Sequence, residues 1–135
     1  MTLFVDTTVW SLALRRDAVP DIREITCLKQ ALEGGQPITT TGLVLQELLQ
    51  GFSGPKAADS IIDRFSSIPM ITPDRQDHIE AAALRNLCRR SGVQVGTIDA
   101  LIAQLCIRHE LMLLTTDGDF REMQRVVKGV RVWYG

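Results

Sequence analysis

The sequence predicts an α/β protein with a central parallel sheet of four to five strands, flanked by helices on both faces. Most of the predicted strands are short apolar runs without polar alternation, which is typical of strands buried on both faces, and the last one, at 130–133, alternates as an edge strand does. Segments with helical spacing separate them, as the crossovers between parallel strands require. The chain has 135 residues, the usual length of one domain, so we expect residues 1–135 to form a single domain.

Apolar runs and helical spacings alternate through the first half of the chain. Runs of apolar or β-branched residues predict strands at 3–5, 37–40 and 69–71. Apolar residues spaced three and four apart predict helices at about 21–33, 42–50 and 57–65. The pair Gly34 and Gly35 ends the first of these helices, and the glycines before Pro55 mark a turn.

The second half of the chain repeats this alternation. Thr72 and Pro73 predict the start of a long helix ending near residue 90, because threonine is a good N-cap and proline suits the first helical position. Thr97 is predicted to cap the next helix, and the spacing of Asp119 and Glu122 indicates a capping box for the last one. Strands are predicted at 111–114 and, as an edge strand, at 130–133.

The composition excludes several classes of protein. An apolar run of about 18 residues, which a membrane span needs, does not occur, and Asp6 interrupts the N-terminal apolar stretch. We therefore expect a cytoplasmic protein that does not associate with membranes. The three cysteines lack the spacing of a zinc ribbon or a disulfide framework. Neither a GxxxxGK[ST] phosphate loop nor a GxGxxG fingerprint is present, which argues against P-loop and dinucleotide enzymes.

Four acidic residues stand in apolar surroundings. Asp6 directly follows the strand predicted at 3–5, and Asp117 ends the segment Thr115-Thr116-Asp117 after the strand predicted at 111–114, at the edge where parallel sheets bind their ligands. Asp99 lies in the first turn of a predicted helix, and Glu47 is surrounded by leucines. Because ionised carboxylates in a low-dielectric crevice repel one another, a divalent cation best reconciles all four. Oxygen ligands of this kind suit Mg²⁺ or Mn²⁺.

Each of these acids also has an ordinary structural interpretation. Asp6 fits the N-cap of a helix after the first strand, and Asp99 fits a first-turn acid beside Thr97. Glu47 alone fits an exposed helix face, and Asp117 fits a turn with Gly118. The joint pattern of the four favours the metal site.

The basic residues are mostly arginines, whose planar fork matches two phosphate oxygens at once. The net charge of the whole chain is -1, which does not by itself predict binding to nucleic acid. If four acids hold a metal, however, fifteen basic residues face twelve acidic ones, and the remainder carries +3. Arginines cluster at 85–90 and 121–131, as phosphate contacts or as solvated helix faces.

Four segments, in order and spacing, resemble the successive motifs of the PIN domain family and most closely its small VapC-type toxins. They begin with a strand ending in an acid and finish with a T-x-D-x-D-F pattern. The segments are 4–10 (FVDTTVW), 45–48 (LQEL), 97–103 (TIDALIA) and 113–120 (LLTTDGDF).

This resemblance implies a metal-dependent endoribonuclease that acts as the toxin of a toxin–antitoxin pair. Its catalytic and metal-binding residues would be Asp6, Glu47, Asp99 and Asp117. Supporting residues would be Thr7, Thr115 and Asp119, and the RNA backbone would contact Arg85, Arg89 and Arg121. The metal, Mg²⁺ or Mn²⁺, would activate a water for in-line attack on the phosphodiester.

The resemblance also implies partners: an RNA substrate, a VapB-like antitoxin and a second copy of the chain in a homodimer. Six apolar residues are candidates for an antitoxin groove or, alternatively, for the domain's own core: Trp10, Leu12, Leu14, Ile61, Ile62 and Phe65. Two other functions stay open. One is a non-catalytic RNA- or protein-binding module on the same fold, and the other is a metal phosphatase or DNA nuclease using the same acids.

Overall fold

Five short parallel strands lie at the centre of the protein, in a computed structural model that describes residues 1–15 and 17–135. They are β1 (Leu3–Val5), β2 (Ile38–Thr41), β3 (Met70–Ile71), β4 (Met112–Leu114) and β5 (Arg131–Val132). Their order across the sheet is β3-β2-β1-β4-β5, and every neighbouring pair is parallel. The predicted parallel sheet is confirmed.

Seven helices connect and flank these strands in the described part of the chain. They are α1 (Thr7–Ala13), α2 (Arg23–Gly34), α3 (Gly42–Gly51), α4 (Pro55–Phe65), α5 (Arg75–Arg90), α6 (Thr97–Arg108) and α7 (Gly118–Val126). None of the helices found in residues 1–15 and 17–135 combines the length and the apolar character needed to cross a lipid bilayer.

The central strand β1 determines which residues meet at the edge of the sheet. Its three residues are buried, and it pairs on one side with β2 and on the other with β4. Val5 lies opposite Leu114, so that β1 and β4 end at the same level. The residues that follow these two strands therefore emerge side by side.

The start of α5 differs from the prediction. The N-cap is Asp74 rather than Thr72, and the first helical residue is Arg75 rather than Pro73. Asp74 and Asp77 form a reciprocal capping box: each side chain accepts a hydrogen bond from the other residue's backbone N–H, both at 2.9 Å. Two backbone donors are satisfied in this way, which a threonine cap alone does not achieve.

Two further caps are corrected by the structure. Helix α6 begins at Thr97 with Gly96 as its N-cap, so Thr97 is not the cap. Helix α7 begins at Gly118, because the side chain of Asp117 accepts a hydrogen bond from the backbone N–H of Asp119 at 2.9 Å. The predicted capping box between Asp119 and Glu122 is therefore wrong, and the carboxylate of Asp119 lies in the first turn.

The apolar residues considered for an antitoxin groove divide into two groups. Trp10, Ile61 and Phe65 belong to the core, and the rings of Trp10 and Phe65 have centroids 4.9 Å apart. Leu12 and Leu14 are half-buried against that core. Ile62 is 52% exposed. The interpretation as core residues is therefore correct for Trp10, Ile61 and Phe65.

A buried acid joins α5 to α6. Asp77 is fully buried, and its Oδ2 atom accepts a hydrogen bond from Nη2 of Arg108 at 2.7 Å. Burial alone would raise the pKa of Asp77, but the backbone N–H of Asp74 and the charge of Arg108 hold that pKa below its usual value. The adjacent Gln104 is also buried and donates to Glu80 at 2.7 Å. These two side-chain hydrogen bonds fix the position of α6 along α5.

We expect the substitution Asp77→Asn to lower the free energy of unfolding at neutral pH by about 1–3 kcal/mol, the usual range for a hydrogen bond to a charged group. Because the folded pKa of Asp77 is lowered, this contribution exists at neutral pH and is lost in acid below the usual pKa of 3.8. Urea unfolding at several pH values measures it. The exposed Asp59→Asn in α4 is the control, and equal stability of the two variants at pH 7 contradicts the prediction.

Candidate functional site

The site begins where β1 and β4 end. Asp6 follows Val5, Thr115 follows Leu114, and the hydroxyl of Thr115 donates a hydrogen bond to Oδ2 of Asp6 at 2.5 Å. Both residues are buried. Parallel pairing of the two strands therefore places a carboxylate and its hydrogen-bond donor at the carboxyl edge of the sheet, where α/β proteins bind ligands.

Asp6 is also the N-cap of α1. Its Oδ1 atom accepts a hydrogen bond from the backbone N–H of Thr8. Burial raises the pKa of Asp6 above its usual value, while the hydrogen bonds from Thr115 and Thr8 act in the opposite direction. The capping interpretation of Asp6 is therefore correct, and the same carboxylate borders the acidic site. The two interpretations are compatible.

The hydroxyl of Thr115 connects two acids. While it donates to Asp6, it accepts a hydrogen bond from the backbone N–H of Asp117 at 2.9 Å. The side chain of Asp117 in turn accepts from the N–H of Asp119 at the start of α7. The Thr115 hydroxyl thus fixes the position of the loop that carries Asp117 and Asp119.

Three carboxylates meet above this loop. Asp99, from the first turn of α6, lies with Asp117 and Asp119 so that one oxygen from each is within 4.8 Å of the others. Asp99 and Asp117 are half-buried and Asp119 is exposed. Asp119, predicted only as a supporting residue, is thus a member of the closest cluster, whereas Asp6 and Glu47 lie outside it.

Glu47 approaches from α3 and is half-buried. The hydroxyl of Thr7, the first residue of α1, donates a hydrogen bond to Oε1 of Glu47 at 2.8 Å. A hydroxyl donor of this kind fixes the direction of one carboxylate oxygen. The structure therefore brings the predicted residues Thr7 and Glu47 into direct contact.

The other four acids of the candidate site repel the negative charge of Asp99. Burial raises its pKa from the usual 3.8 to about 6, and the negative charges of four carboxylates add to the effect: Asp117, Asp6, Asp119 and Glu47. Such mutual repulsion marks the position where a positive charge is most favourable. Asp99 is therefore the electrostatic centre of the site.

The donor set fits a hard divalent cation. Mg²⁺ binds oxygen ligands at about 2.0–2.1 Å, which places ligands on opposite sides of the ion roughly 4 Å apart, close to the spread of the three carboxylates. Burial, with Asp6 nearby, raises the pKa of the Cys106 thiol, which favours its protonated form. Carboxylate oxygens are the donors at the site, and this chemistry suits Mg²⁺ or Mn²⁺.

The three predicted phosphate-binding arginines occupy different places. Nε of Arg85 donates to the backbone carbonyl of Val95 at 2.8 Å, and Arg89 is exposed one turn further along α5. The guanidinium of Arg121 lies over the ring of Tyr134, 5.2 Å from its centroid. Arg85 and Arg89 thus share a surface, while Arg121 contacts the C-terminal segment.

Thr8 is a site residue that the sequence analysis did not identify. Its backbone N–H donates to Asp6, and its hydroxyl accepts from the backbone N–H of Thr116 at 3.1 Å. The available signal was the N-cap position of Asp6, since an N-cap side chain bonds the backbone N–H two or three residues later.

An all-parallel sheet with carboxylates gathered beyond its carboxyl edge defines the class of α/β proteins that bind their ligands at the strand ends. The sequence model of the PIN domain matches residues 3–126. The chain belongs to the PIN domain family. No curated protein matches the sequence significantly.

Several solved structures share this fold at low sequence identity. A chain in the VapBC2 structure of Rickettsia felis, bound to a DNA fragment from its promoter, is 21% identical with a TM-score of 0.76, covering 98% of both chains. A chain in the VapBC-1 structure of nontypeable Haemophilus influenzae is 15% identical with a TM-score of 0.72, and the match covers 98% of this chain and 97% of that chain. VapC20 of Mycobacterium tuberculosis, a toxin that cleaves the sarcin-ricin loop, is 21% identical with a TM-score of 0.67. The match covers 88% of this chain and 92% of that chain.

The repulsion around Asp99 predicts that its removal stabilises the metal-free protein. The raised pKa means that ionising Asp99 costs stability as the pH rises from about 4 to about 6, and the full cost remains above pH 6. In excess chelator at pH 7, Asp99→Asn should raise the free energy of unfolding by about 1–2 kcal/mol, because one pKa unit corresponds to about 1.4 kcal/mol and solvent screens part of the repulsion at this half-buried group.

Chemical unfolding of the wild type and Asp99→Asn at pH 4 and pH 7 measures this difference. The gain should be present at pH 7 and small at pH 4. The control Asp59→Asn removes an exposed acid from α4 and should leave the stability nearly unchanged. An Asp99→Asn variant no more stable than the wild type at pH 7 contradicts the electrostatic account.

Proposed function

We propose that this protein is a metal-dependent endoribonuclease and the toxin of a toxin–antitoxin pair. The observation that carries the proposal is the convergence of Asp99, Asp117 and Asp119 beyond the carboxyl edge of the sheet. Asp6 and Glu47 add charge to the same place. Concentrated negative charge repels a phosphodiester unless a cation intervenes, so this arrangement favours metal-assisted phosphodiester chemistry.

In this proposal Asp99, Asp117 and Asp119 hold Mg²⁺ or Mn²⁺, and Asp6 and Glu47 complete the pocket directly or through water. When bound there, such an ion would supply an activated water and would neutralise charge on the phosphoryl and leaving oxygens. The membership of Asp119 extends the four-acid set that the sequence analysis proposed.

The remaining work belongs to the protein's own side chains. The carboxylate of Asp6 is held in one orientation, because Oδ1 accepts a hydrogen bond from the Thr8 backbone N–H and Oδ2 accepts one from the Thr115 hydroxyl. Each oxygen keeps a further lone pair for a ligand. Thr7 holds Oε1 of Glu47, which leaves Oε2 without a hydrogen-bond partner among the residues that the structure describes. Oε2 is therefore free to accept a proton from water and to orient that water. Preorganised positions of this kind lower the cost of reaching the reactive geometry.

The proposed partner is a VapB-like antitoxin. Support comes from the fold, which is shared with chains in VapBC structures, and from a groove of about 940 Å³ on this chain. The groove combines apolar and basic side chains, including Leu14, Arg15, Phe52, Lys56 and Arg64. A segment that carries both apolar and acidic residues would match it. We also propose a homodimer and a cytoplasmic location, where the RNA substrate is found.

We expect the purified chain, freed of any co-purified partner, to cut total cellular RNA into discrete fragments when Mg²⁺ or Mn²⁺ is present. Excess chelator should abolish the cleavage. Asp99→Asn should fold and yet cleave at least about 100-fold more slowly, because it removes the central charge of the pocket. Gel analysis or sequencing of the fragments measures both effects.

Asp59→Asn is the matched control, since it makes the same chemical change on an exposed helix and should leave cleavage intact. Undiminished activity of Asp99→Asn would mean that the chemistry lies elsewhere. Metal binding without RNA cleavage would favour a phosphatase or DNA nuclease, which competing phosphoesters would reveal. The absence of both metal binding and cleavage would favour the non-catalytic binding module.

A further inference from the structure

A second groove, polar in character, borders the acidic cluster. Its volume is about 530 Å³, and its walls come from α5, from the start of α7 and from the segment 93–96 that precedes α6. The residues that matter here are Arg85, Arg89, Val95, Gly96 and Asp119. Asp119 also belongs to the carboxylate cluster, so the groove and the acidic pocket share a wall.

Two arginines give this groove its positive charge. Arg85 is half-buried, and the bond from its Nε to the carbonyl of Val95 anchors the guanidinium beside the groove. Arg89 lies one helical turn further along α5 and is exposed. Within residues 1–15 and 17–135, neither arginine forms an ion pair, in contrast to Arg108 and Arg125. Both charges are therefore left for a ligand.

The groove is also continuous with the acidic pocket along the chain. Gly96, which lines the groove, is the N-cap of α6, and Asp99 follows three residues later in the first turn of that helix. The groove therefore borders the acidic cluster both at Asp119 and at the start of α6. Guanidinium groups bind phosphate oxygens strongly, and these two lie where the acids alone would repel the strand.

We propose that Arg89, with Arg85, binds a backbone phosphate of the RNA adjacent to the phosphodiester at the acidic pocket. This inference rests on the proposed ribonuclease function and adds the path of the substrate. Arg89 acts as a substrate-binding residue, because its contact with a neighbouring phosphate exists both before and during the reaction. Such uniform binding lowers KM and leaves kcat unchanged.

The test compares Arg89→Gln with Arg90→Gln. Both variants remove one exposed arginine from the end of α5, but Arg90 does not line the groove. Binding is measured to short, random-sequence, single-stranded RNA in the Asp99→Asn background, where we expect little cleavage, over a series of salt concentrations. Cleavage of total cellular RNA is measured in the otherwise wild-type chain.

Arg89→Gln should weaken RNA binding by roughly tenfold, as expected for the loss of one charged hydrogen-bonding contact. The slope of log affinity against log salt should fall by about 0.7, the value for one phosphate of a single strand. KM should rise with kcat nearly constant, Arg89→Lys should recover most of the loss, and Arg90→Gln should resemble the parent.

Equal losses in the two glutamine variants would overturn the proposal, because general charge rather than the groove would then attract RNA. Unchanged binding in Arg89→Gln would overturn it as well, as would a fall in kcat at constant KM, which would place Arg89 at the reacting phosphate. Failure of the ribonuclease function itself looks different: the unmodified chain then cuts no RNA with either metal.

Discussion

The hydroxyl of Thr115 is the contact on which the candidate site depends. It donates to Asp6 after β1 and accepts from the backbone N–H of Asp117 after β4. Parallel pairing of Val5 with Leu114 brings these groups together, and the cap of α7 then directs Asp119 into the same cluster. This bridge connects Asp6 to the loop of Asp117 although neighbouring carboxylates repel one another.

Two buried or half-buried acids show how strongly the surroundings control carboxylate chemistry. The pKa of Asp99 is raised to about 6, because it is desolvated among other carboxylates. The pKa of Asp77 is lowered despite complete burial, because a backbone N–H and Arg108 stabilise its charge. The negative charge of Asp77 is paired with Arg108 and stabilises the packing of α5 on α6. Asp99 is unmatched, and a cation is the natural complement of its site.

The edge of the sheet thus combines a rigid scaffold with an electrostatically unfavourable centre. The core strands β1 and β4 are almost completely buried, and this burial supplies the stability that the acidic cluster lowers. Positive charge lies just outside, in the groove that Arg85 and Arg89 line. The negative charges thus lie at the centre of the candidate site and the positive charges at its border.

Local patterns in the sequence determined the class of fold, the strand ends at Asp6 and Thr115, and the four acids in apolar settings, because apolar runs and helical spacing depend on near neighbours. Only the tertiary structure decided which carboxylates meet. The helix caps at Asp74, Gly96 and Asp117 were predicted one or two residues away, and the last shift changed Asp119 from a cap into a cluster member. The burial of Trp10 and the Asp77–Arg108 pair also depend on contacts between distant segments, which spacing along one chain does not record.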